Sequence, residues 1–384
     1  MALETCIAFL LADELDAEDY ASLKNKPNIK TPQIRDDEDD DDDKDNENVF
    51  TAIVPSLSVL DFQKCFQLTQ TQVEELVNLL SPFQRASCKL AGWTMTHTVL
   101  ASLWTLSALE SYSSIAARFH TKESIIHQRL NEFCSLVTRN LADQIRWPRW
   151  QEADDSAAGF YSDVGLPGIV CVVGSCLIST ERPVDVLDPD VYQTPDKSHS
   201  MKLIAFCNNR GKFTHVNAGH PGSWHNSRVL RETDIGKALR EDPLNLLHDK
   251  HIIGDATFPL SEHLLTPFPD YGTLAEKKLR YNIRAQAALR VVRDSLRSLM
   301  CRFQRLRSLQ MNSVTQISMA VKTCCILFNV FLETDRFNSV ETMEEHEDIQ
   351  LPFHELPNGH SGSLGGISKR QDIAACLGRK PKKR

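Results

Sequence analysis

The sequence predicts an α/β domain, with sheet and helices sharing one core, preceded by an all-α region that contains a helix-turn-helix. Three observations predict it. Residues 57–150 carry apolar side chains at helical spacing, residues 165–255 carry short β-branched and aromatic runs broken by turn residues, and two long helical stretches follow. With 41% hydrophobic residues in 384 positions, the chain can fill such cores, and its composition is that of an ordinary globular protein.

Residues 1–48 read as a leader. An apolar patch interrupted by acids and lacking a basic flank argues against a signal peptide. Asp36–Asn48 holds ten acids and one lysine, a self-repelling run that cannot bury a core and is expected to be disordered. The run alone contributes −9 to a net charge of −8, so the rest of the chain sums to +1 and bulk charge neither demands nor excludes nucleic acid. Eleven cysteines with no CxxC pair suit reduced thiols better than a disulfide framework or a zinc ribbon. No stretch is expected to reach the roughly 18 apolar residues of a membrane span.

In the helical region, FQLTQTQVEELVNLL (66–80) places Leu68, Val73, Leu76, Val77 and Leu80 on one face, and a second apolar helix covers Thr96–Glu110. A short helix over Ile115–Phe119, a turn at His120–Glu123 and a second helix over Ser124–Phe133, with Thr121 placed to cap it, make the helix-turn-helix. GLPGIVCVVGSCLIS (165–179) has the composition of a buried strand. MKLIAFC (201–207) and KFTHVNA (212–218) flank NNRG, whose Asn and Gly tolerate the positive φ of a hairpin turn. HIIGD (251–255) is another strand, helices are expected over 285–308 and 314–334, and 335–384 loses periodicity before a basic end. The domains expected are thus 1–48 leader, 57–150 helical, 159–334 α/β and 335–384 irregular tail.

Several strings, in their order and spacing, resemble the harbinger transposase-derived nucleases, a family of DDE superfamily endonucleases. They include GLPGIVCVV (165–173), HSMKLIAFCNNRG (199–211), NAGHPGSWHNSRVL (217–230), IIGDATFPLSEHLLTP (252–267), LRSLMCRFQRL (296–306) and TCCILFNV (323–330), and the resemblance covers roughly residues 57–334. It implies an RNase H-like fold with a central mixed sheet. It also implies three acids holding two magnesium or manganese ions, because hard dications need anionic oxygens and a pair about 4 Å apart clamps both oxygens of a phosphodiester transfer.

Residue by residue, the acids are missing. Gly174 stands at the first aspartate, in Val172-Val173-Gly174-Ser175-Cys176, with Leu177 at the nearby histidine. Asn226 stands at the second, after Pro221-Gly222-Ser223, and Arg293 at the glutamate, counted back from Arg302-Phe303. A further aspartate that the family often carries is Asn208 here. Catalytic residues are therefore expected to be absent and no metal cofactor is expected. Asp294, one position from Arg293, would point about 100° away on a helix. Asp255 is the residual candidate ligand, joined in an alternative site by Asp163, Asp188 or Asp190, and is read more simply as capping the turn after its strand. His220 and His225 lack a diagnostic zinc spacing and are read as loop histidines.

Lys122, Ser124, His127, Gln128 and Arg129 begin the second helix of the helix-turn-helix, where that motif contacts DNA. Arg290, Arg293 and Arg297 form the centre of a basic ridge, from Arg284 to Arg307, suited to phosphate. The end Arg379-Lys380-Pro381-Lys382-Lys383-Arg384 reads as a nuclear localisation signal for an import receptor. The resulting expectation is a domesticated, nuclease-dead protein of the nucleus, with the cytoplasm as a second location. It would bind DNA, a Myb/SANT-like DNA-binding protein, or both, and no membrane. The alternatives are a metal-dependent nuclease with a relocated acidic site and a decaying transposon copy without a selected role.

Overall fold

The computed structural model describes residues 58–83, 93–338 and 362–377. The acidic run 36–48 and the basic cluster of Arg379, Lys380, Lys382, Lys383 and Arg384 lie outside the described residues. The chain divides into two units between Phe133 and Cys134.

The first unit is helical: α1 (Val59–Phe66), α2 (Gln70–Leu80), α3 (Met95–Ser107), α4 (Tyr112–Arg118) and the beginning of α5 (Glu123–Asn140). Local chemistry sets its starts. Thr69 with Gln72, and Thr94 with His97, form reciprocal capping boxes that satisfy backbone N–H groups left free at helix ends. Leu76, Leu80, Val99, Leu103 and Leu106 are fully buried, and Phe66 meets Trp104 edge-on at 5.5 Å. The turn between α4 and α5 passes through His120 at φ 48°. Lys122, not Thr121, takes the cap position of α5, since the Ile126 N–H donates to the Lys122 carbonyl. The second short helix is longer than expected, continuing to Asn140.

The second unit is built on a five-stranded sheet in the order β3-β2-β1-β4-β5: β1 (Ile169–Thr180), β2 (His199–Cys207), β3 (Phe213–Pro221), β4 (His251–Gly254) and β5 (Leu264–Leu265). The first three strands are antiparallel neighbours, and β4 and β5 run parallel to β1, giving the mixed sheet of an RNase H-like domain. The β2–β3 hairpin turns as its sequence dictates. Gly211 adopts φ 75°, and Asn208 Oδ1 accepts from the N–H groups of Arg210 and Lys212, both at 3.0 Å. The parallel return to β4 passes through three short helices, α7 (Asn226–Glu232), α8 (Asp234–Glu241) and α9 (Pro243–Leu247), as a parallel crossover requires.

Helices flank this sheet. α6 (Trp150–Val164) packs on β1, its Ser156 hydroxyl donating to the Val170 carbonyl at 2.7 Å, so residues 150–164 belong with the sheet rather than dividing the expected domains. It ends at Gly165, φ 71°, whose carbonyl accepts from Arg284 at 2.7 Å. α10 (Glu276–Arg302) buries Tyr281, Ala285, Ala288, Leu289, Val292, Leu296 and Leu299, a stripe at helical spacing, and begins nine residues before its expected start at 285. α11 (Val314–Asn338) is fixed to the start of β3 by Asn329. Its amide donates to Phe213 O at 2.7 Å and accepts from the Phe213 N–H at 2.8 Å. Among the described residues, Val314–Leu332 within α11 is the one stretch long and apolar enough to cross a membrane; 61% of it is buried here, the composition of a core helix.

The expected irregular tail requires correction. α12 (Leu364–Cys376) is a helix that packs against α10 and β5. Arg370 fastens it, donating to the carbonyls of Thr266 at 3.0 Å and Pro267 at 2.9 Å. Its guanidinium also lies 4.2 Å from the Phe268 ring centre.

Candidate functional site

The period of α10 decides which of its charged residues face inward. Val292 lies on the buried stripe, Arg293 flanks it, and Asp294 turns to solvent and bonds Arg297 at 3.3 Å. Gly174 sits in the middle of β1 opposite Ala205 of β2. Asn226 opens α7, and Asp255 follows β4 one residue beyond Gly254, which pairs with Val173. Gly174, Asn226, Arg293 and Asp255 all line one cavity of about 610 Å3. The structure therefore brings together the three positions assigned to the family's acids, together with the residual carboxylate.

The interior of this cavity is organised by hydrogen bonds rather than by acid clustering. The Asn226 amide donates to Ser175 Oγ at 2.8 Å and to Thr257 Oγ1 at 2.6 Å. Thr257 Oγ1 donates in turn to Asp255 Oδ1, which also accepts the Thr257 N–H at 2.8 Å. Asp255 thus both caps the turn after β4 and faces the cavity. Gly174 is closely covered: a Cβ there would lie 3.0 Å from Val292 Cγ1 and 3.2 Å from its Cγ2, so apolar packing occupies the room an acid would need. Arg293 Nη2 donates to the Gln286 carbonyl at 3.1 Å and to its side-chain oxygen at 3.2 Å.

Lys202 is a residue that the sequence reading missed. It lies on β2, is 3% exposed, lines the cavity and donates to the Trp224 carbonyl. Burial lowers its pKa, with Asp255 acting in the opposite direction; burial also lowers that of Arg293, where Asp294 and Asp255 counteract it. A signal for it existed: period-two alternation puts Lys202 on the same strand face as Ile204 and Phe206.

Two dications do not fit this donor set. The cavity is lined by three cationic side chains, Lys202, Arg293 and Arg370, against two carboxylates, Asp255 and Asp270, and each Lys or Arg within about 4 Å of a dication costs several kcal/mol even at an effective dielectric near 20. Among the described residues, no three His, Cys, Asp or Glu side chains gather in a way that could hold a metal ion. Asp188 accepts from the Asp190 N–H and Asp190 pairs with Arg182 at 2.9 Å. Asp163 is exposed on α6, and none of the three lines the cavity with Asp255. His225 caps α7 through Ser227, and His220 stacks on Trp224 with ring centres 5.5 Å apart.

The residues assigned to DNA contact fall into two groups. At the start of α5, Lys122, Ser124 and Gln128 are exposed, and His127 is half-buried on the Tyr112 ring, 3.9 Å between centres. Arg129 must be withdrawn: it is 1% exposed and ion-paired to Glu132 at 2.5 Å, because its helical position points to the core side of α5. Along α10, Arg290 is exposed and Arg293 and Arg297 are half-buried on one face, at i, i+3 and i+7. The longer ridge breaks up, since Arg284 is taken by the Gly165 carbonyl and Arg305 is buried.

Residues 173–329 match the DDE superfamily endonuclease family. HARBI1 of Rattus norvegicus, whose name describes a nuclease, is 29% identical over 65% of this chain and 75% of its own length. The human HARBI1 is 28% identical over 59% of this chain and 66% of its own. A protein of Arabidopsis thaliana named ALP1-like is 24% identical over 63% of this chain and 62% of its own. Among solved structures, a Mos1 mariner paired-end complex with Mn covers 72% of this chain and 80% of its own at 10% identity, with a TM-score of 0.14, too weak a likeness to bear on the fold. With the sheet order and the family match over the sheet and its flanking helices, residues 173–329 form a DDE superfamily endonuclease domain, and the chain is similar to proteins named HARBI1 and ALP1-like.

Proposed function

We propose that this protein is a domesticated harbinger-type transposase descendant that has lost nuclease activity and acts in the nucleus as a DNA- or protein-binding scaffold. The observation that carries the reading is the content of the cavity: Gly174, Asn226 and Arg293 stand at the three assigned acid positions, with Lys202 and Arg370 added and Asp255 and Asp270 as its carboxylates. A cavity with three cations against two carboxylates, and none at the three assigned positions, repels the paired dications that phosphodiester hydrolysis by this family's chemistry requires. The same balance favours phosphate oxygens. Arg290, Arg293 and Arg297 make a face suited to a nucleic-acid backbone, and Lys122, Ser124, His127 and Gln128 begin a helix-turn-helix second helix. No metal cofactor is needed for this role. A Myb/SANT-like DNA-binding protein is the expected partner, and the basic cluster Arg379–Arg384 the expected ligand of a nuclear import receptor.

The test is direct. The purified full-length chain is incubated with duplex DNA and magnesium or manganese, and its DNA affinity is measured at several salt concentrations. The expected result is no cleavage, together with binding that weakens on Arg293→Ala and shows a salt slope smaller by about one. Metal-dependent cutting abolished by Asp255→Ala would overturn the reading in favour of a relocated active site. Unchanged affinity and slope on Arg293→Ala would remove α10 from the proposed DNA surface.

A further inference from the structure

The cavity has features that a nucleic-acid backbone does not use. Phosphate contacts need an exposed cationic face, and Arg290 and Arg297 on α10 would provide it without any hollow behind them. Here the hollow extends into the unit, to about 610 Å3, between α10, the middle of β1, the turn after β4, and α12. Its walls combine apolar side chains, among them the buried Phe258, Leu289 and Leu296, with polar ones that include Lys202, Asn226, Asp255 and Arg293. This is the composition of a small-molecule site.

Two of those polar groups are chemically incomplete. Lys202 is an ammonium with three N–H donors, 3% exposed, and its one hydrogen-bond acceptor is the Trp224 carbonyl. Asp255 offsets its charge only partly, because Thr257 engages that carboxylate twice. Asn226, 6% exposed, uses its amide N–H groups on Ser175 and Thr257, while its Oδ1 is buried without a donor. A buried cation calls for an anion, and a buried carbonyl oxygen calls for an N–H or O–H. Arg293 lines the same cavity from α10, with donors beyond those held by Gln286.

We infer that the cavity is a binding site for a small organic anion with a flat apolar body and one hydrogen-bond donor. The anionic head lies between Lys202 and Arg293, the donor meets Asn226 Oδ1, and the body rests against Phe258, Leu289 and Leu296. A site that formerly gathered cations now gathers the opposite charge. The inference goes beyond the scaffold reading and does not rest on it, since it needs neither DNA nor a protein partner.

The experiment is isothermal titration of the full-length chain with two probes of this chemistry, thymidine monophosphate and indole carboxylate. Thymidine and inorganic phosphate serve as the head-less and body-less controls. The expected result is 1:1 binding of at least one probe with Kd on the order of tens of micromolar, and each control weaker by about tenfold or more. Arg293→Gln is expected to weaken the probe by about tenfold and Arg290→Gln to leave it unchanged, each variant first checked for an unaltered circular dichroism spectrum. Failure of both probes to bind below millimolar concentration would overturn the proposal. So would inorganic phosphate binding as tightly as the probes, or equal losses from Arg290→Gln and Arg293→Gln. A parallel DNA titration separates the two readings, because backbone binding on α10 is weakened by both arginine substitutions and probe binding by one.

Discussion

Two parts of the sheet unit have been treated very differently. Where α11 meets the start of β3, Asn329 satisfies both backbone groups of Phe213 and also donates to the Gln144 carbonyl at 2.8 Å. Where α10 meets β1 and β4, the cavity holds three cations, two carboxylates and an amide oxygen, Asn226 Oδ1, without a donor. The first region does structural work, because orphaned backbone groups would cost stability whatever the protein did. The second holds the positions where the family resemblance expects three acids, and the sheet forms with Gly174, Asn226 and Arg293 there instead. Clustered carboxylates without a metal repel one another, so Gly174, Asn226 and Arg293 at these positions avoid that cost. The sheet therefore forms with no acid at any of the three.

Restoring an acid should break this contrast most forcefully. Gly174→Asp is expected to destabilise the protein by about 2–4 kcal/mol in urea unfolding, from crowding against Val292 and burial of a polar head. Unchanged stability would mean that the cavity still has room for its lost ligand. Next in size, Asn329→Ala leaves three backbone groups unpaired and should cost about 2–3 kcal/mol by the same measurement; a loss below the Gly174→Asp value is expected because solvent can reach the hairpin end.

A third test uses the end of β4 opposite the cavity. Burial, with Lys369 and His263 reinforcing it, lowers the His251 pKa to about 3. Its unfolded value is about 6.5, so the unfolded chain binds the proton first. The stability that this neutral histidine permits is complete above about pH 6.5 and drains as the pH falls toward 3, by at most about 1.4 kcal/mol per pH unit. His251→Gln should flatten that part of the stability–pH curve; an unchanged slope would assign the acid sensitivity elsewhere. The smallest effect is expected at Glu152, whose carboxylate, held to about 2 by Arg146 and the Arg149 N–H, is nearly half exposed. Glu152→Gln should cost less than about 1 kcal/mol in thermal unfolding, because solvent screens such pairs.

Much of this architecture can be read from residue order. β-Branched composition marks β1, Asn208 and Gly211 mark the hairpin, and helical phase, a local property, sets the cavity-lining Arg293 apart from the exposed Asp294. What escaped depends on tertiary partners. Arg129 and Lys202 look like surface cations, and only the elements packed over them make them buried. α12 begins Leu364-Gly365-Gly366, a poor helix-forming start. Its stability comes from Arg370 and the Thr266–Pro267 carbonyls, far away in sequence. The cavity itself was legible only as three substituted positions, and its depth and apolar walls were not.

The placement of α12 bears on how this protein should be cut. Similarity to the family ends at residue 329, yet Gly362, Ile367 and Arg370 form part of the cavity wall, and the Ser363 N–H donates to the Leu260 carbonyl at 3.0 Å. A fragment trimmed to the matched segment would expose Phe268 and the apolar floor to water, inviting aggregation that owes nothing to the intact molecule. Expression boundaries for this protein should therefore run past Cys376.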